Sequence, residues 1–312
     1  MFKTLYNQAR ILYRLQPVTG LLIKSGKEPF DPTRPEMEFI RTWAELGGET
    51  KETPFLPGSS MKGVIRSHAE RILRTLGLIE CDITRDDQAC VRPGEESSYK
   101  DHCLACRTFG STSMASHVRF TDAMPWKPGA SSSERETGYQ SISAEQRPGV
   151  MISRRTGTVK HGPFELEVVT EGSFFGEITV RNYQLWQLAL LVLVFRDMNE
   201  GHQRVGAMKS RGLGRVNVSL EEFHIEQFAA LAQHDGMQIR GIGSVEQIVS
   251  SYGLVSDDAV AKPDCIKKED GMFRQVFVPD GVGAQEAWQS LAESIISGAH
   301  WRSLLQREEA QE

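Results

Sequence analysis

Four of the five cysteines fall within one polar segment of the chain, residues 80–112. They are Cys81, Cys90, Cys103 and Cys106, and the last two form a Cys-x-x-Cys pair. Four thiolates can bind Zn²⁺ tetrahedrally, and such a site can fold a segment that buries little apolar surface. We therefore predict a structural zinc site here, with His102 as an alternative ligand. Free thiols and a redox Cys-x-x-Cys are the other interpretations of this spacing.

A glycine-rich loop, residues 206–215, combines small residues with cations. Its members that can bind a phosphate are Lys209, Arg211, Gly212, Gly214 and Arg215. Glycines let a phosphate approach the backbone closely, and amides in a turn can point at an oxyanion. The same composition also describes an ordinary connection between a helix and a strand, so both interpretations stay open.

The segment Pro57-Gly58-Ser59-Ser60-Met61-Lys62-Gly63 is a second candidate anion site. It joins a turn to the start of a helix, where free amides and the helix dipole attract anions. Arg66 follows one turn later. The order of residues differs from that of a nucleotide-binding P-loop, so a nucleic-acid phosphate is a better candidate ligand than ATP.

The net charge of −5 and the sequence pI near 6.0 argue, as averages, against binding to nucleic acid. The charge is unevenly distributed, however. Residues 147–164 and 201–215 each contain four cations and no acid, so +8 lies in two windows and −13 in the remainder. Acid-free basic stretches are what a groove that follows a phosphate backbone requires.

These residues need a scaffold, and the hydrophobic pattern predicts one of α+β class. Two apolar helices are expected, one from Ser59 to Gly77 and one from Tyr183 to Met198, with strands before, between and after them. Strand, helix, strands, helix, strand is the order of a ferredoxin-like sandwich. The tail after residue 230 ends in a helix with Trp288, Leu291 and Ile295 on one face, which we expect to dock on a neighbouring subunit.

The longest apolar stretch is residues 185–195, shorter than the ~20 residues that cross a bilayer. The N-terminus carries no pattern of a secretion signal. We therefore expect a cytoplasmic protein without a membrane partner.

Three motifs together resemble the RAMP superfamily, and more closely the backbone subunits of type III CRISPR effector complexes. They are Phe55-Leu56-Pro57-Gly58-Ser59-Ser60-Met61-Lys62-Gly63-Val64-Ile65-Arg66-Ser67, the stretch from Cys103 to Asp122 with Phe109-Gly110, and Gly212-Leu213-Gly214-Arg215. The resemblance covers roughly residues 10–225.

This resemblance implies an RRM-like palm over residues 1–230, with the zinc segment 80–112 and a thumb β-hairpin 147–169 inserted into it. Residues 231–312 form a C-terminal extension. It also implies a ribonucleoprotein for RNA-guided antiviral defence, in which the chain binds CRISPR RNA, presents target RNA, and stacks with other subunits or with copies of itself. The implied RNA contacts are Ser59, Ser60, Lys62, Arg66, Arg147, Met151, Ile152, Arg154, Arg155, Lys209, Arg211, Gly212, Gly214 and Arg215. Core packing is the alternative for Met151 and Ile152.

Family members that cut target RNA use a loop acid, usually Asp, with a divalent metal such as Mg or Mn. Aligning Phe39-Ile40-Arg41 on the family's segment puts Glu36 at that position. Asp31 is the candidate if the loop is shifted, and Glu38 is a third. Solvated acids, or partners for neighbouring arginines, are equally good interpretations. Glu adds a methylene, which displaces the carboxylate.

Other functions stay open on the sequence. One is a stand-alone endoribonuclease that processes CRISPR RNA with His68, His117 or His161 as acid or base. Another is an inactive backbone subunit served by a separate nuclease. A third is a structural zinc protein that binds no RNA.

Overall fold

The computed structural model describes residues 3–26, 35–79, 81–82, 85, 88–92, 94–232 and 237–305. Its strands are β1 (Asn7–Pro17), β2 (Arg41–Leu46), β3 (Glu49–Pro54), β4 (Val118–Phe120), β5 (Ser143–Ile152), β6 (Val159–Glu171), β7 (Phe174–Arg181), β8 (Val216–Phe228), β9 (Gln238–Arg240), β10 (Ala259–Ala261), β11 (Ile266–Gly271) and β12 (Arg274–Pro279). Its helices are α1 (Gly58–Thr75), α2 (Leu104–Phe109), α3 (Ser132–Gln140), α4 (Leu185–Asn199), α5 (Ala229–Ala232), α6 (Glu246–Tyr252), α7 (Ala284–Ser297) and α8 (Ala299–Leu305).

A six-stranded antiparallel sheet forms the centre of the molecule, in the spatial order β11-β12-β8-β1-β7-β4. Four strands of this sheet and two helices have the chain order β1, α1, β4, β7, α4, β8, with other elements inserted between them. The order is therefore strand, helix, strand, strand, helix, strand. This is the element order of the ferredoxin-like motif. The predicted α+β class with an antiparallel sheet is therefore confirmed, whereas the assignment of a palm and a thumb stays a prediction.

The core lies on one face of this sheet, to which β1 contributes the buried Ile11, Tyr13 and Leu15. Helix α4 is apolar on nearly all sides because it lies under this face and contacts α1, α7 and α8 as well as β8. Phe223 of β8 meets Trp288 of α7 edge to face, with 5.2 Å between ring centroids. The helix predicted at the end of the tail is therefore present. Its apolar face of Trp288, Leu291 and Ile295 is buried in the chain's own core, so the expectation that this face docks on a neighbouring subunit is wrong.

The hairpin β11–β12 continues the central sheet, because β12 pairs with β8. The sequence did not predict this, since both strands are short and their partner lies some fifty residues earlier. Residues 131–146, which are rich in serine and glutamate, contain α3. Its start is a capping box in which the Ser131 amide donates to Glu134 at 2.7 Å and the Glu134 amide donates to Ser131.

Two further hairpins stand outside the central sheet, β2 with β3 and β5 with β6. The β5–β6 hairpin spans residues 143–171 and therefore includes the predicted thumb 147–169. Within the described residues, no helix combines the length and apolar character needed to span a membrane.

Candidate nucleic-acid interface and metal centre

The four predicted zinc ligands lie together. The sulfur atoms of Cys81, Cys90, Cys103 and Cys106 are all within 4.8 Å of one another. A tetrahedral site with Zn–S bonds of about 2.3 Å places its sulfurs about 3.8 Å apart, so a small contraction would close the cluster on an ion. The residues therefore fit a metal such as zinc. Among the described residues this is the one such group of three or more ligand side chains.

Hydrogen bonds between the thiols prepare the cluster for a cation. The Cys106 thiol donates to Cys103, which lowers the pKa of the Cys103 thiol to about 5 and raises that of Cys106. Burial raises the pKa of Cys81 to about 12. Cys103 is thus the thiolate of the cluster and accepts hydrogen bonds from neighbouring cysteines. A bound metal would displace the protons of the remaining thiols.

His102 lies beside the cluster but is engaged elsewhere. One ring nitrogen lies 3.0 Å from the Ser98 carbonyl oxygen, and the other lies 3.1 Å and 3.0 Å from the hydroxyls of Ser111 and Ser113. The four cysteines form a complete set of ligands without His102, and the alternative of His102 as a ligand stays a prediction. We call residues 81–116, which contain the four cysteines, the metal segment. Arg74 of α1 donates to the Cys81 carbonyl at 2.7 Å and so joins the metal segment to the helix.

The start of α1 is fixed by a close approach to β4. A Cβ atom on Gly58 would lie 2.7 Å from the Phe120 carbonyl oxygen, so only glycine fits at this position. The Gly58 amide donates to the Asp122 carboxylate at 2.8 Å. The glycine of the Pro-Gly-Ser-Ser motif thus positions the helix, and the following Ser59 is exposed.

A groove of about 640 Å³ runs between α1 and the metal segment. Helix α1 contributes Ser59, Lys62 and Arg66, and the opposite wall is formed by residues 89–91 and 109–116. Burial and the neighbouring Arg66 lower the pKa of the Lys62 ammonium. An anion bound beside Lys62 would relieve this repulsion, and the binding of an RNA phosphate there stays a prediction.

Arg66 is bonded within the protein. Its guanidinium donates to Glu70 at 2.8 Å, to the Gly110 carbonyl at 2.8 Å and to the Cys106 sulfur at 3.6 Å. It therefore links α1 to the metal segment, and its contact with RNA stays a prediction.

The glycine-rich loop is held in one shape by close backbone packing. Gly206 and Gly214 both have φ of +83°, and a Cβ atom on either would lie within 2.3 Å of a carbonyl oxygen. Leu213 is buried against Leu22 and Val168. Arg204, two residues before the loop, donates to the carbonyls of Lys209 and Leu213 within it.

The cations of this loop face outward. Lys209, Arg211 and Arg215 are exposed, as is Gly212. The structure therefore presents a rigid, positively charged backbone turn, which is the arrangement that the glycine pattern favours for phosphate binding.

The β5–β6 hairpin is anchored beside this loop. Leu21 and Val169 exchange two backbone hydrogen bonds of 2.8 Å, and Met37 bonds to the backbone of Glu165 and Glu167. Arg41 forms a bidentate ion pair with Glu167. Residues 20–24, 36–41, the glycine-rich loop and the hairpin therefore meet at one place.

Arg147 lies at the same place. Its Nη1 atom is 3.4 Å from the position of a Cβ atom on Gly20, whose carbonyl accepts from the Gly214 amide. Arg147 also pairs with Glu145 at 3.2 Å. The base of the hairpin thus adds a cation to those of the loop.

The tip of the hairpin carries exposed apolar side chains. Val150, Ile152 and Val159 are each more than half exposed. Ile152 pairs directly with Val159, and Val150 lies two residues before Ile152 in a stretch where the register of the hairpin shifts. Arg154 and Arg155 are exposed in the turn. The side chain of Met151 lies outside the described part of the structure, and its role stays a prediction.

Sequence reasoning missed Val150 and Val159. The position of Val150 two residues before Ile152 on the same strand was a signal that could have identified Val150. It also missed the hydroxyl-rich loop 111–116, which lines the groove beside Lys62.

The candidate loop acids have different surroundings. Glu36 is exposed. Glu38 bonds to Arg41 at 3.4 Å, which supports the interpretation of Glu38 as a partner for an arginine. Asp31 lies outside the described residues. Mg²⁺ usually takes one or two protein carboxylates and completes its shell with water and phosphates, so an exposed Glu36 beside bound RNA fits that chemistry.

The histidines proposed for acid–base chemistry do not form an exposed pair. His68 is buried with Nε2 2.6 Å from the Asp197 carboxylate. His117 is buried with Nδ1 2.7 Å from the Arg181 carbonyl, and burial lowers its pKa to about 4. The side chain of His161 lies outside the described residues.

The open face of the central sheet is crossed by ion pairs. Arg10 pairs with Glu177 at 3.0 Å, and Arg14 pairs with Glu221 at 3.1 Å. RRM domains that stack bases on this face use aromatic residues at its centre. The ion pairs at this sheet face make it less suited to base stacking, and the cations of the glycine-rich loop and of the hairpin turn are exposed.

A protein-family model described as "RAMPs: RAMP superfamily" matches residues 43–217. That range is more than half of the chain, and it includes α1, the metal segment, the β5–β6 hairpin and the glycine-rich loop. No curated protein matches the chain.

Proposed function

The chain belongs to the RAMP superfamily, which indicates a CRISPR-associated RNA-binding module, and on this basis we propose that it is the CRISPR RNA-binding backbone subunit of a type III effector complex. In this role the central sheet and its helices are the palm, and the β5–β6 hairpin is the thumb that enters the duplex of guide and target RNA. Other subunits or further copies of the chain would complete the filament.

One observation carries the proposal. The glycine-rich loop, the base of the β5–β6 hairpin and residues 36–41 come from distant parts of the chain and meet at one place. The cations exposed there are Arg147, Lys209, Arg211 and Arg215. A phosphate backbone bound along this cluster would pass the exposed carboxylate of Glu36. The arrangement suits a subunit that holds a guide and presents a target.

The proposal includes zinc as the ion of the cysteine cluster, because four thiolates without an open position suit structural zinc. In this role the metal segment is a wall of the groove that contains Lys62. Cleavage of target RNA by Glu36 with Mg or Mn is the second part of the proposal, and it is separable from binding.

The loop cations provide the test of RNA binding. In Lys209→Glu/Arg211→Glu, we expect the affinity for CRISPR RNA to fall at least tenfold and the slope of log affinity against log salt to decrease, because two phosphate contacts are lost. Lys267→Glu is the matched control, since Lys267 is an exposed cation on β11 at the far edge of the sheet. The measurement is a salt series of fluorescence-anisotropy titrations with labelled guide RNA.

Equal affinity in the double variant and the wild type would contradict the RNA path. The alternative of a stand-alone processing enzyme is tested in the same preparation, because that enzyme would cut repeat RNA without any other subunit.

A further inference from the structure

Trp43 lies on β2 with 66% of its surface exposed. Tryptophan is enriched at protein–protein interfaces and among the residues that contribute most to their binding free energy. Because side chains alternate along a strand, Trp43 shares its face of the hairpin with Glu45 and has Glu52 directly opposite on β3. We call Trp43, Glu45 and Glu52 the indole patch.

The hairpin that carries the patch is held firmly on its other side. Lys51 reaches α3, where it pairs with Glu136 at 3.4 Å and lies 6.0 Å from the centre of the Tyr139 ring. Leu46 is fully buried on that side. The indole patch is therefore presented on a rigid support, so a partner pays little entropy for ordering it.

The charge of this region selects the partner. Residues 42–54 contain three glutamates and one cation, Lys51, which lies on the opposite face. Arg41, at the edge of the patch, pairs with Glu38 and Glu167 and also interacts with Glu52. An RNA backbone would be repelled by this surplus of carboxylates. A guanidinium, in contrast, can stack on an indole while it pairs with a carboxylate beside it.

We propose that the indole patch is a docking site for an arginine-bearing segment of a partner protein. One arginine of that segment lies over the Trp43 ring, and its guanidinium bonds to Glu45 or Glu52. This site adjoins residues 36–41 of the proposed RNA interface but shares no residue with that interface, so either proposal can fail without the other.

The test is a titration of the full chain with a blocked Gly-Arg-Gly-Arg-Gly peptide, followed by the indole N–H signals in ¹⁵N-resolved NMR. Trp43→Phe identifies the signal of Trp43 among those of the five tryptophans. We expect this signal to shift saturably, and we expect no shift with the peptide that carries citrulline, the uncharged isostere, in place of arginine. In Glu45→Gln/Glu52→Gln the affinity should fall at least fivefold.

Glu49→Gln is the matched control, because Glu49 is exposed on the same hairpin but faces the other side. It should bind the peptide as the wild type does. Unchanged signals of the other four tryptophans will show that the variants are folded. The proposal is overturned if the arginine peptide leaves the Trp43 signal unmoved, if citrulline binds equally, or if the double variant binds with full affinity. A shift with oligouridylate alone would assign Trp43 to RNA stacking instead.

Discussion

Single residues of this chain have roles that depend on contacts the sequence leaves unspecified. Glu36 and Glu38 are two positions apart, yet Glu38 is tied to Arg41 while Glu36 is exposed. Arg66 and Lys62 are one turn apart, yet the guanidinium of Arg66 is bonded within the protein and the ammonium of Lys62 lines the groove. Residue type therefore identifies candidates, and the contacts rank them.

Glu36→Gln tests the nuclease part of the proposed function. In the assembled complex with Mg or Mn, we expect target-RNA cleavage to fall at least 100-fold, because an amide replaces the charged carboxylate that would bind the metal. Guide and target binding should stay within twofold of the wild type. Glu38→Gln is the control, since that carboxylate serves Arg41. Full cleavage by Glu36→Gln would show that this acid is not needed.

The buried His117 predicts a dependence of stability on pH. Burial lowers its pKa to about 4, whereas an unfolded histidine titrates near 6.5. Between these values the unfolded chain binds the proton more readily, so stability is lost as the pH falls through this window. From pH 7 to pH 5 the loss due to His117 should be about 2 kcal/mol.

The measurement is urea unfolding at both pH values for the wild type, His117→Gln and the exposed-site control His224→Gln. The titration of the cysteine cluster is common to all three proteins, so the differences between them isolate each histidine. His117→Gln should lose less stability than the wild type on acidification, and His224→Gln should behave as the wild type. Parallel losses in all three would contradict the prediction.

At the scale of elements, the sequence predicted best what depends on local spacing. The Cys-x-x-Cys pair and its two upstream cysteines predicted the cluster, and apolar periodicity predicted α1 and α4. The position of the hairpin β11–β12 in the central sheet could not be predicted, because its pairing with β8 depends on contacts between residues far apart in the sequence. Residues 36–41 are another such case, since their position is set by bonds to β6.

The metal segment should depend on its ion for order. Cys90→Ser removes an exposed ligand, so we expect zinc content to fall from one per chain to below a fifth, with hydrogen-exchange protection lost over residues 81–116. The central sheet should keep its protection, because the four cysteines lie outside its strands and Cys103 packs only at the border of the shared core. Cys265→Ser, outside the cluster, should retain the metal. The measurements are elemental analysis and exchange mass spectrometry, and equal zinc in both variants would refute the assignment.

At the scale of the whole molecule, the tail and the central sheet share one hydrophobic core in this structure. A single hydrophobic cluster extends from Ala9 on β1 to Leu304 on α8. The fully buried Asp258 accepts from the Leu185 amide at 2.9 Å, so a residue of the tail caps the start of α4. The division of the chain at residue 230 into a palm and a C-terminal extension stays a prediction. The contacts described above connect the two parts.

Trp288→Ala tests this unity. Trp288 of α7 is 1% exposed and contacts Phe223 of β8, so its truncation should cost about 3–5 kcal/mol. If tail and sheet unfold together, global protection from hydrogen exchange will fall by the same free energy in β1 and in β12. Met272→Ala is the control, because Met272 is 84% exposed and should change stability by less than about 0.5 kcal/mol. Loss of protection confined to residues after 230 would instead show a tail that folds separately, and the docking of α7 would then stabilise the tail alone.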